Sequence, residues 1–300
     1  EKRVTDLILE NDGIKGVTVA GNERYLSDNV ILATGHSSRD IYDICIRHRI
    51  ALEMKPFAMG VRVEHPQELI NRIQYHGNTG GKYLPAASYS IVRQVDGRGV
   101  YSFCMCPGGF IVPAATSQEE IVVNGMSPSH RNSPYANSGI VVGISPEDLG
   151  MYSEYGEMAG LYYQKYLERE AWINGDRSQR APAQRLSDFV AGKNSSDLPP
   201  VSYTPGVVVS PLHEWLPAPL GSRLREGFRI FGSVMRGFLT NEAIILAVES
   251  RTSSPVRITR NADTMEHTTI RGLYPCGEGS GFAGGIRSEE HTSELQSPNT

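Results

Sequence analysis

The stretch best suited to chemistry lies near the end of the chain and reads GLYPCGEGSGFAGGI, residues 272–286. It contains six glycines, five of which follow a short apolar strand built from Leu273, Tyr274 and Cys276. Glycine reaches positive φ and lets the backbone approach a ligand closely. A loop of this kind at a helix N-terminus presents unpaired N–H groups to an anion. The segment therefore predicts a ligand-facing loop, usually for a phosphate, with a purely structural glycine turn as the alternative.

This loop lacks the sequence context of a first dinucleotide-binding turn. Gly279, Gly281 and Gly284 spell G-x-G-x-x-G, but that motif needs a βαβ unit of roughly thirty residues after it. Only fourteen residues follow Ile286. These residues, 287–300, show no apolar period and resemble a translated sequencing adapter, so we expect a non-native tail, with a natural polar tail as the alternative. We also expect the following helix and an N-terminal portion to be missing from the chain.

Two cysteines form a second candidate for chemistry. Cys104 and Cys106 lie two residues apart in YSFCMCPGG, on a predicted strand, so that both thiols would point to one face. Such a pair could meet a substrate or take part in redox chemistry, or it could be structurally inert. A metal site would need two more ligands at suitable spacing, and we predict none.

A polar cluster follows a predicted buried strand in ESRTSSPVRI, residues 249–258. Arg251 offers a bidentate fork for an anion, and the hydroxyls of Ser253 and Ser254 add donors, so the cluster could hold a carboxylate or phosphate. The alternative is an ordinary turn with a solvated arginine. Asn124 is a further substrate-side candidate because it lies beside an apolar strand.

Composition excludes several classes of protein. The 300 residues are 39% hydrophobic and carry a net charge of −4, with no basic stripe for nucleic acid. No apolar run is long enough to cross a membrane, and four cysteines do not make a disulfide framework. We therefore expect a cytoplasmic protein with a small-molecule substrate and of undetermined oligomeric state. Hydrolase and phosphotransferase motifs are absent from the sequence.

The first 52 residues predict a strand meander followed by a buried strand and a helix. VTDLILE and IKGVTVAG alternate, whereas NVILATG is continuously apolar and suits a strand buried on both faces of a parallel sheet. That strand ends at Thr34 and Gly35, where ligands bind in such sheets. Ser37 or Ser38 could cap the helix that follows.

Residues 53–209 change in character. Short apolar strands separated by Gly, Pro, Asn and Ser turns predict a mostly antiparallel inserted domain, with one strong helix near 153–173. Residues 210–286 then supply a helix capped by Ser222, a buried strand in AIILAVES, and the glycine loop.

Four stretches taken together carry a family resemblance: NVILATGHSSRDIYD, RGVYSFCMCPGG, ESRTSSPVRI and the closing glycine loop. In this order they resemble the uncharacterised FAD-dependent dehydrogenases, a bacterial family of NAD(P)/FAD-dependent oxidoreductases related to glutathione-reductase-type flavoproteins. The resemblance covers residues 1–286. It implies an α/β fold in which part of a glutathione-reductase-type FAD-binding domain, 1–52 and 210–286, is interrupted by the mostly β domain 53–209 with its long helix.

The resemblance also implies a site and a reaction. Glu278 would accept hydrogen bonds from ribityl hydroxyls, with a simple helix cap as the alternative, and no catalytic residue is assigned. The cofactor FAD would lie against Thr34, Gly35, Gly277, Glu278, Gly279, Ala283, Gly284, Gly285 and Ile286.

The implied function is hydride transfer through FAD, with a substrate or NAD(P)H as the donor. The alternative is a non-catalytic nucleotide-binding or scaffold protein. As a fragment, the chain is expected to bind FAD poorly and to be inactive. The central expectation is that strands ending at Gly35 and near Gly279 are parallel neighbours.

Overall fold

The computed structural model describes residues 2–35, 37–77 and 83–284, which form a mixed α/β protein. The α/β class predicted from the sequence is therefore confirmed. Two of the predicted cofactor residues, Gly285 and Ile286, lie outside the described residues. Across the described ranges, no helix combines the length and the apolar composition required to span a membrane.

The elements are as follows. The strands are β1 (Val4–Glu10), β2 (Gly13–Val19), β3 (Arg24–Leu26), β4 (Val30–Leu32), β5 (Leu52–Met54), β6 (Phe57–Pro66), β7 (Val92–Val95), β8 (Arg98–Cys106), β9 (Phe110–Pro113), β10 (Val123–Met126), β11 (Tyr135–Ile144), β12 (Ala181–Arg185), β13 (Val207–Val209), β14 (Ile244–Glu249), β15 (Val256–Ile258) and β16 (Leu273–Pro275). The α-helices are α1 (Arg39–Arg47), α2 (Gln67–Gln74), α3 (Ala159–Asn174), α4 (Leu186–Ala191), α5 (Leu212–Trp215) and α6 (Ala218–Val234), and a 3₁₀ segment covers Pro146–Met158.

The chain divides into two compact units. The discontinuous unit is formed by Glu1–Phe57, Ser145–Tyr163 and the described residues from Thr252 onward. The central unit is formed by Ala58–Ile144 and Gln164–Arg251. The sequence pattern instead predicts a return to the first domain at residue 210. The difference arises because α6 packs on β7 and β11, and β14 pairs with β6, so all of these belong to the central unit.

The discontinuous unit begins with the predicted meander, in which β2 pairs antiparallel with both β1 and β3. Strand β4 pairs instead with β16. The expectation that β4 is buried on both faces is wrong, because Leu32 is buried whereas Ile31 is 71% exposed. Successive side chains of a strand point to opposite faces, and only the Leu32 face packs against apolar neighbours. The main hydrophobic cluster of this unit contains Leu7, Ile14, Leu32, Ile41, Tyr42, Ile44, Cys45, Ile50, Met158, Leu161, Val256, Ile258, Ile270 and Leu273.

The central unit is built on a seven-stranded mixed sheet with the order β13-β12-β14-β6-β11-β8-β7. Strands β12 and β13 are parallel, whereas β14 is antiparallel to β12 and β6, and β8 is antiparallel to β11 and β7. The side chains of β6 and β14 are almost entirely buried. Burial of successive side chains along both strands is typical of interior strands covered on both faces.

Two helix starts differ from the sequence predictions. The strong helix predicted near 153–173 begins only at Ala159, because Gly156 has φ +52° and separates it from the 3₁₀ segment. Helix α6 begins at Ala218 rather than after Ser222. Pro219 lies in its first turn, where the missing proline N–H removes no helical hydrogen bond.

A buried ion pair joins two neighbouring strands of the central sheet. Arg62 on β6 donates from Nη1 to Glu249 Oε2 on β14 at 2.5 Å, and both side chains are almost inaccessible to solvent. The guanidinium also donates from Nε to Asn137 Oδ1 at 2.8 Å and from Nη2 to the Cys104 carbonyl at 2.6 Å. These partners compensate the buried charge of Arg62, so the sheet depends on their joint presence.

The Glu249→Gln substitution is expected to lower the free energy of unfolding by about 3 kcal/mol, because Arg62 would keep a buried charge without its counter-charge. Glu53→Gln is the matched control, because Glu53 forms an ion pair at the surface. The side chain of Glu53 is 48% exposed, and that of its partner Arg257 is 37% exposed. The control should change stability by less than about 1 kcal/mol. Urea unfolding followed by circular dichroism measures both, and equal effects would contradict this account.

Candidate functional site

Two strand ends meet at one edge in the discontinuous unit. Strands β4 and β16 are parallel neighbours, with Val30 opposite Leu273 and Leu32 opposite Pro275. The amide of Cys276 continues the ladder by donating to the Leu32 carbonyl at 3.1 Å. The predicted parallel pairing of these distant segments is therefore confirmed. The segments that follow both strands consequently leave the sheet side by side.

The close approach of these two segments requires glycine at one position. The Gly279 amide donates to the Thr34 carbonyl at 2.8 Å. A Cβ atom at Gly279 would overlap the carbonyl oxygens of Thr34 and Gly35. Gly281 has φ +83°, and its Cβ position would lie 2.8 Å from the Val256 carbonyl. The loop is thus held between the β4 end on one side and β15 on the other.

A tyrosine from α1 secures the same loop. The Tyr42 hydroxyl donates to the Gly279 carbonyl at 2.6 Å and lies 2.7 Å from Ser254 Oγ. Ser254 Oγ in turn lies 2.7 Å from the Val256 carbonyl, to which it donates. Burial is the main cause that raises the pKa of Tyr42, so its hydroxyl stays protonated and keeps its donor role. Tyr42, Ser254 and Gly279 therefore form one buried polar cluster.

Basic side chains surround the loop. The Arg260 guanidinium lies 3.7 Å from the centroid of the Phe282 ring and donates to the Pro275 carbonyl at 2.8 Å. Arg257 lies 5.5 Å from the same ring, and its buried Nε has no hydrogen-bond partner among the described residues. Burial, together with the charge of Arg257, lowers the pKa of Lys55, while the charge of Glu278 opposes this shift. Lys55 and Glu278 thus lie within electrostatic reach of each other.

The loop fits an anionic ligand only in part. Gly35 is exposed and has open space where a Cβ would lie, and the neighbouring cations favour negative charge. However, the amides of Gly279, Gly281 and Phe282 donate to protein carbonyls. These N–H groups are therefore not available to a phosphate, contrary to what the glycine pattern predicts. Anion binding here would depend mainly on side-chain charge.

The predicted cofactor residues differ in accessibility. Thr34, Gly277 and Glu278 are half-buried, while Gly35 and Gly284 are exposed. Gly279 and Ala283 are buried, so they stabilise the loop and do not form a surface that a cofactor could contact. Further residues around the loop are not among those that the sequence motifs predict for the site: Tyr42, Lys55, Arg257, Arg260 and Phe282. Tyr42 was detectable as the one residue with a hydroxyl among the apolar positions of α1.

The cysteine pair lies in the central unit and does not have a regular strand geometry. Cys104 has φ +44°, and the register between β8 and β11 is irregular between Asn137 and Gly139. A bulge of this kind breaks the strict alternation from which we predicted that both thiols share one face. Cys104 is exposed, and Cys106 Sγ lies 3.9 Å from Arg62 Nη2. The chemical role of the pair stays a prediction.

The predicted anion fork is already occupied. The Arg251 guanidinium contacts Glu120 and Glu168, each at 3.1 Å, and donates to Thr116 Oγ1 at 2.7 Å. Arg251 is only 7% exposed. It is therefore neither a free fork for an anionic ligand nor a solvated arginine in a turn, the two alternatives that the sequence leaves open. Its two carboxylate partners come from distant parts of the chain, which no local pattern reveals.

The remaining candidates divide between the two units. Asn124 belongs to the buried Arg62 network, where its Oδ1 accepts from Arg62 Nη1 at 3.4 Å. Ser254 belongs to the Tyr42 cluster, and Ser253 is half-buried. Within the described ranges, no group of three or more His, Cys, Asp or Glu residues is arranged to hold a metal ion.

Gly279→Ala is expected to lower the free energy of unfolding by about 1–3 kcal/mol, because the new Cβ would overlap two carbonyl oxygens. Gly35→Ala is the matched control, since nothing lies within 4 Å of its Cβ position. The control should preserve stability or raise it by up to about 1 kcal/mol. Thermal and urea unfolding measure both variants. Equal stability of the two would show that the loop does not pack against Thr34.

Tyr42→Phe is expected to lower the free energy of unfolding by about 1–3 kcal/mol, because it leaves the buried Gly279 carbonyl without its hydroxyl donor. Tyr25→Phe removes a hydroxyl from a tyrosine that is 46% exposed, and should change stability by less than about 0.5 kcal/mol. Urea unfolding distinguishes the two variants. A silent Tyr42→Phe substitution would mean that the hydroxyl cluster does not secure the loop.

The chain is similar in sequence or in structure to other proteins. A Clostridium beijerinckii protein described only as uncharacterized is 42% identical over 285 residues, which cover 94% of this chain and 53% of that protein. The chain thus spans about half the length of the curated relative it matches. A crystal structure of CtdE in complex with FAD is 9% identical and covers 93% of this chain and 48% of CtdE, with a TM-score of 0.30. A TM-score this low supports no conclusion about the chain.

A family match covers most of the chain. Residues 56–252 match the family described as FAD-dependent protein, C-terminal domain-like. The matched residues include the whole central unit, whereas the β4 end and the glycine loop lie outside them. This family agrees with the resemblance inferred from the sequence motifs. The chain therefore belongs to the FAD-dependent protein, C-terminal domain-like family.

Proposed function

We propose that the protein is an FAD-dependent oxidoreductase and that the β4 end and the glycine loop hold part of the FAD. The observation that carries this proposal is the parallel pairing of β4 and β16, which brings Thr34 and Gly279 into hydrogen-bond contact. Ligands of α/β sheets bind beyond the carboxyl ends of parallel strands, particularly where segments distant in sequence meet. Family membership supports the choice of FAD as the ligand.

The finer fold belongs to the same proposal. A glutathione-reductase-type FAD domain interrupted by an inserted domain would explain why β4 and β16 pair although 240 residues lie between Leu32 and Leu273. The family match supports this division, since residues 56–252 lie between the two cofactor segments. The relative of about twice the length has room for the remaining parts of such a domain.

Specific side chains have distinct parts in this proposal. Thr34, Gly35 and Gly277 would form the surface against which the cofactor lies, and Gly279 would hold that surface in place. Glu278 would accept hydrogen bonds from hydroxyls, because its half-buried carboxylate offers only acceptors. Lys55 and its basic neighbours would attract the negatively charged parts of the cofactor. When bound, FAD supplies the acceptor for a hydride from a substrate or NAD(P)H.

One observation favours the alternative of a nucleotide-binding protein without turnover. Three amides of the glycine loop, those of Gly279, Gly281 and Phe282, donate to protein carbonyls and are not available to a cofactor. Such a protein could hold a nucleotide through side-chain charge and carry out no reaction. Anaerobic addition of NAD(P)H to the full-length, flavin-loaded protein separates the two, because bleaching with turnover supports the enzyme and binding alone supports the scaffold.

FAD binding can be tested at the open position of the strand end. Gly35→Val is expected to weaken FAD binding at least roughly tenfold, because its side chain would fill the space left open at Gly35. Gly150→Val is the control, since nothing lies within 4 Å of that Cβ position either and Gly150 is outside the proposed site. Titration of FAD fluorescence in the full-length protein, with melting temperatures of each variant, measures the effect. Equal FAD affinities of the two variants would contradict the proposed site.

A further inference from the structure

An open cavity of about 350 Å³ lies in the central unit, within residues that belong to none of the sites described above. Its volume is in the range typical of small-molecule sites. Four prolines line it together with Tyr135, so much of the wall consists of rigid rings. The polar lining residues include Glu64, Arg185 and Glu242. A rigid, ring-lined cleft with a few polar groups is the usual form of a ligand pocket.

The carboxylate of Glu64 is the most unusual group of this cavity. Glu64 is 1% exposed, and its partners are the amide of Ser202, which donates to Oε1 at 2.8 Å, and the Ser202 hydroxyl, which donates to Oε2. Each oxygen keeps a further lone pair with which to accept from a ligand. Burial raises the pKa of Glu64 to about 7, against the opposing effect of the Ser202 hydrogen bonds and of Arg62.

The cavity offers acceptors and negative charge. Arg185 is engaged, because its Nε donates to Asp197 Oδ1 at 2.9 Å and its Nη1 donates to the Asn241 carbonyl. His65 donates from Nε2 to the Phe238 carbonyl at 2.8 Å when this nitrogen carries the proton. Its buried Nδ1 has no partner among the described residues and is then an acceptor. Burial lowers the pKa of His65 to about 4, so the ring is neutral near pH 7.

We propose that this cavity binds a small, mainly apolar molecule that carries one protonated amine. The ammonium group donates to Glu64, and the apolar part lies against the proline rings and the face of Tyr135. The negative lining favours a cation over a neutral or anionic molecule. The proposal does not depend on FAD binding, because every residue that carries it belongs to the central unit.

Binding of this kind depends on pH in a defined direction. The ammonium requires ionised Glu64, so affinity rises as pH increases through about 7 and falls as Glu64 is protonated below it. Among the described residues, the titratable or charged groups near Glu64 are Arg62, His65, Tyr135, Arg185 and Glu242. His65 stays neutral across this window, because burial lowers its pKa to about 4. The expected change is a roughly tenfold loss of affinity between pH 8 and pH 6.

Benzylamine is the probe, with benzyl alcohol and benzoate as neutral and anionic counterparts. Binding to the chain is measured by NMR titration at both pH values. We expect benzylamine to bind in preference to the other two, with affinity that falls at the lower pH. Benzoate binding as tight as benzylamine, or benzylamine binding that does not change with pH, would overturn the proposal.

Glu64→Gln tests the role of the carboxylate, because it keeps the shape and removes the charge. This variant is expected to weaken benzylamine binding at pH 8 at least tenfold and to abolish the pH dependence. Glu226→Gln is the control, since Glu226 is an exposed partner of Arg229 on α6 and does not line the cavity. Tyr135→Leu, which removes the aromatic face, provides a second test if Glu64→Gln does not fold. Unchanged benzylamine affinity in the variant that folds would refute the assignment.

Discussion

The structure of the discontinuous unit depends on one backbone contact, the hydrogen bond from the Gly279 amide to the Thr34 carbonyl. This contact extends the parallel ladder of β4 and β16 beyond the strands and holds the loops that follow them side by side. It is possible only without a side chain at position 279, because a Cβ would overlap two carbonyl oxygens. Tyr42 then fixes the opposite side of Gly279 through its carbonyl. Together these contacts give the strand ends the fixed geometry that a cofactor site requires.

The strand ends could be predicted from the sequence because their signals are local. A continuously apolar strand before Thr34 and a dense group of glycines after Pro275 each indicate an unusual backbone, and the parallel ladder joins them. Other features depend on distant partners. Arg251 resembles a ligand fork in its own segment, but the carboxylates of Glu120 and Glu168 occupy it in the folded chain. The bulge at Cys104 likewise depends on register with a neighbouring strand, which spacing within one strand cannot show.

The glycine pattern indicates where the loop lies, but it does not indicate which of the loop amides are free to bind a ligand. Glycine frequency indicates that the backbone can approach a ligand, but it does not show which amides remain free. In the structure, the amides of Gly279, Gly281 and Phe282 are used within the protein. The cations that surround the loop, Lys55, Arg257 and Arg260, come from two other segments and carried no recognisable motif. Charge rather than amide geometry is therefore the basis on which this site would attract a phosphate-bearing molecule.

The central unit carries its own polar interior. Arg62 with Glu249, and Arg251 with Glu120 and Glu168, are buried ion pairs, while Glu64 is a buried carboxyl that accepts hydrogen bonds from Ser202. Paired charges of this kind fix the arrangement of neighbouring strands, because removal of one partner leaves the other without compensation. Glu64 differs in that burial keeps its pKa near neutrality, so its charge can respond to a ligand.

The central claim is that the β4 end and the glycine loop contact one FAD molecule. Hydrogen–deuterium exchange of the full-length protein, with and without FAD, tests it most directly. The account predicts that FAD slows exchange in peptides covering residues 30–43 and in peptides covering 272–284. Protection that is absent from both segments, or present in only one of them, would contradict it.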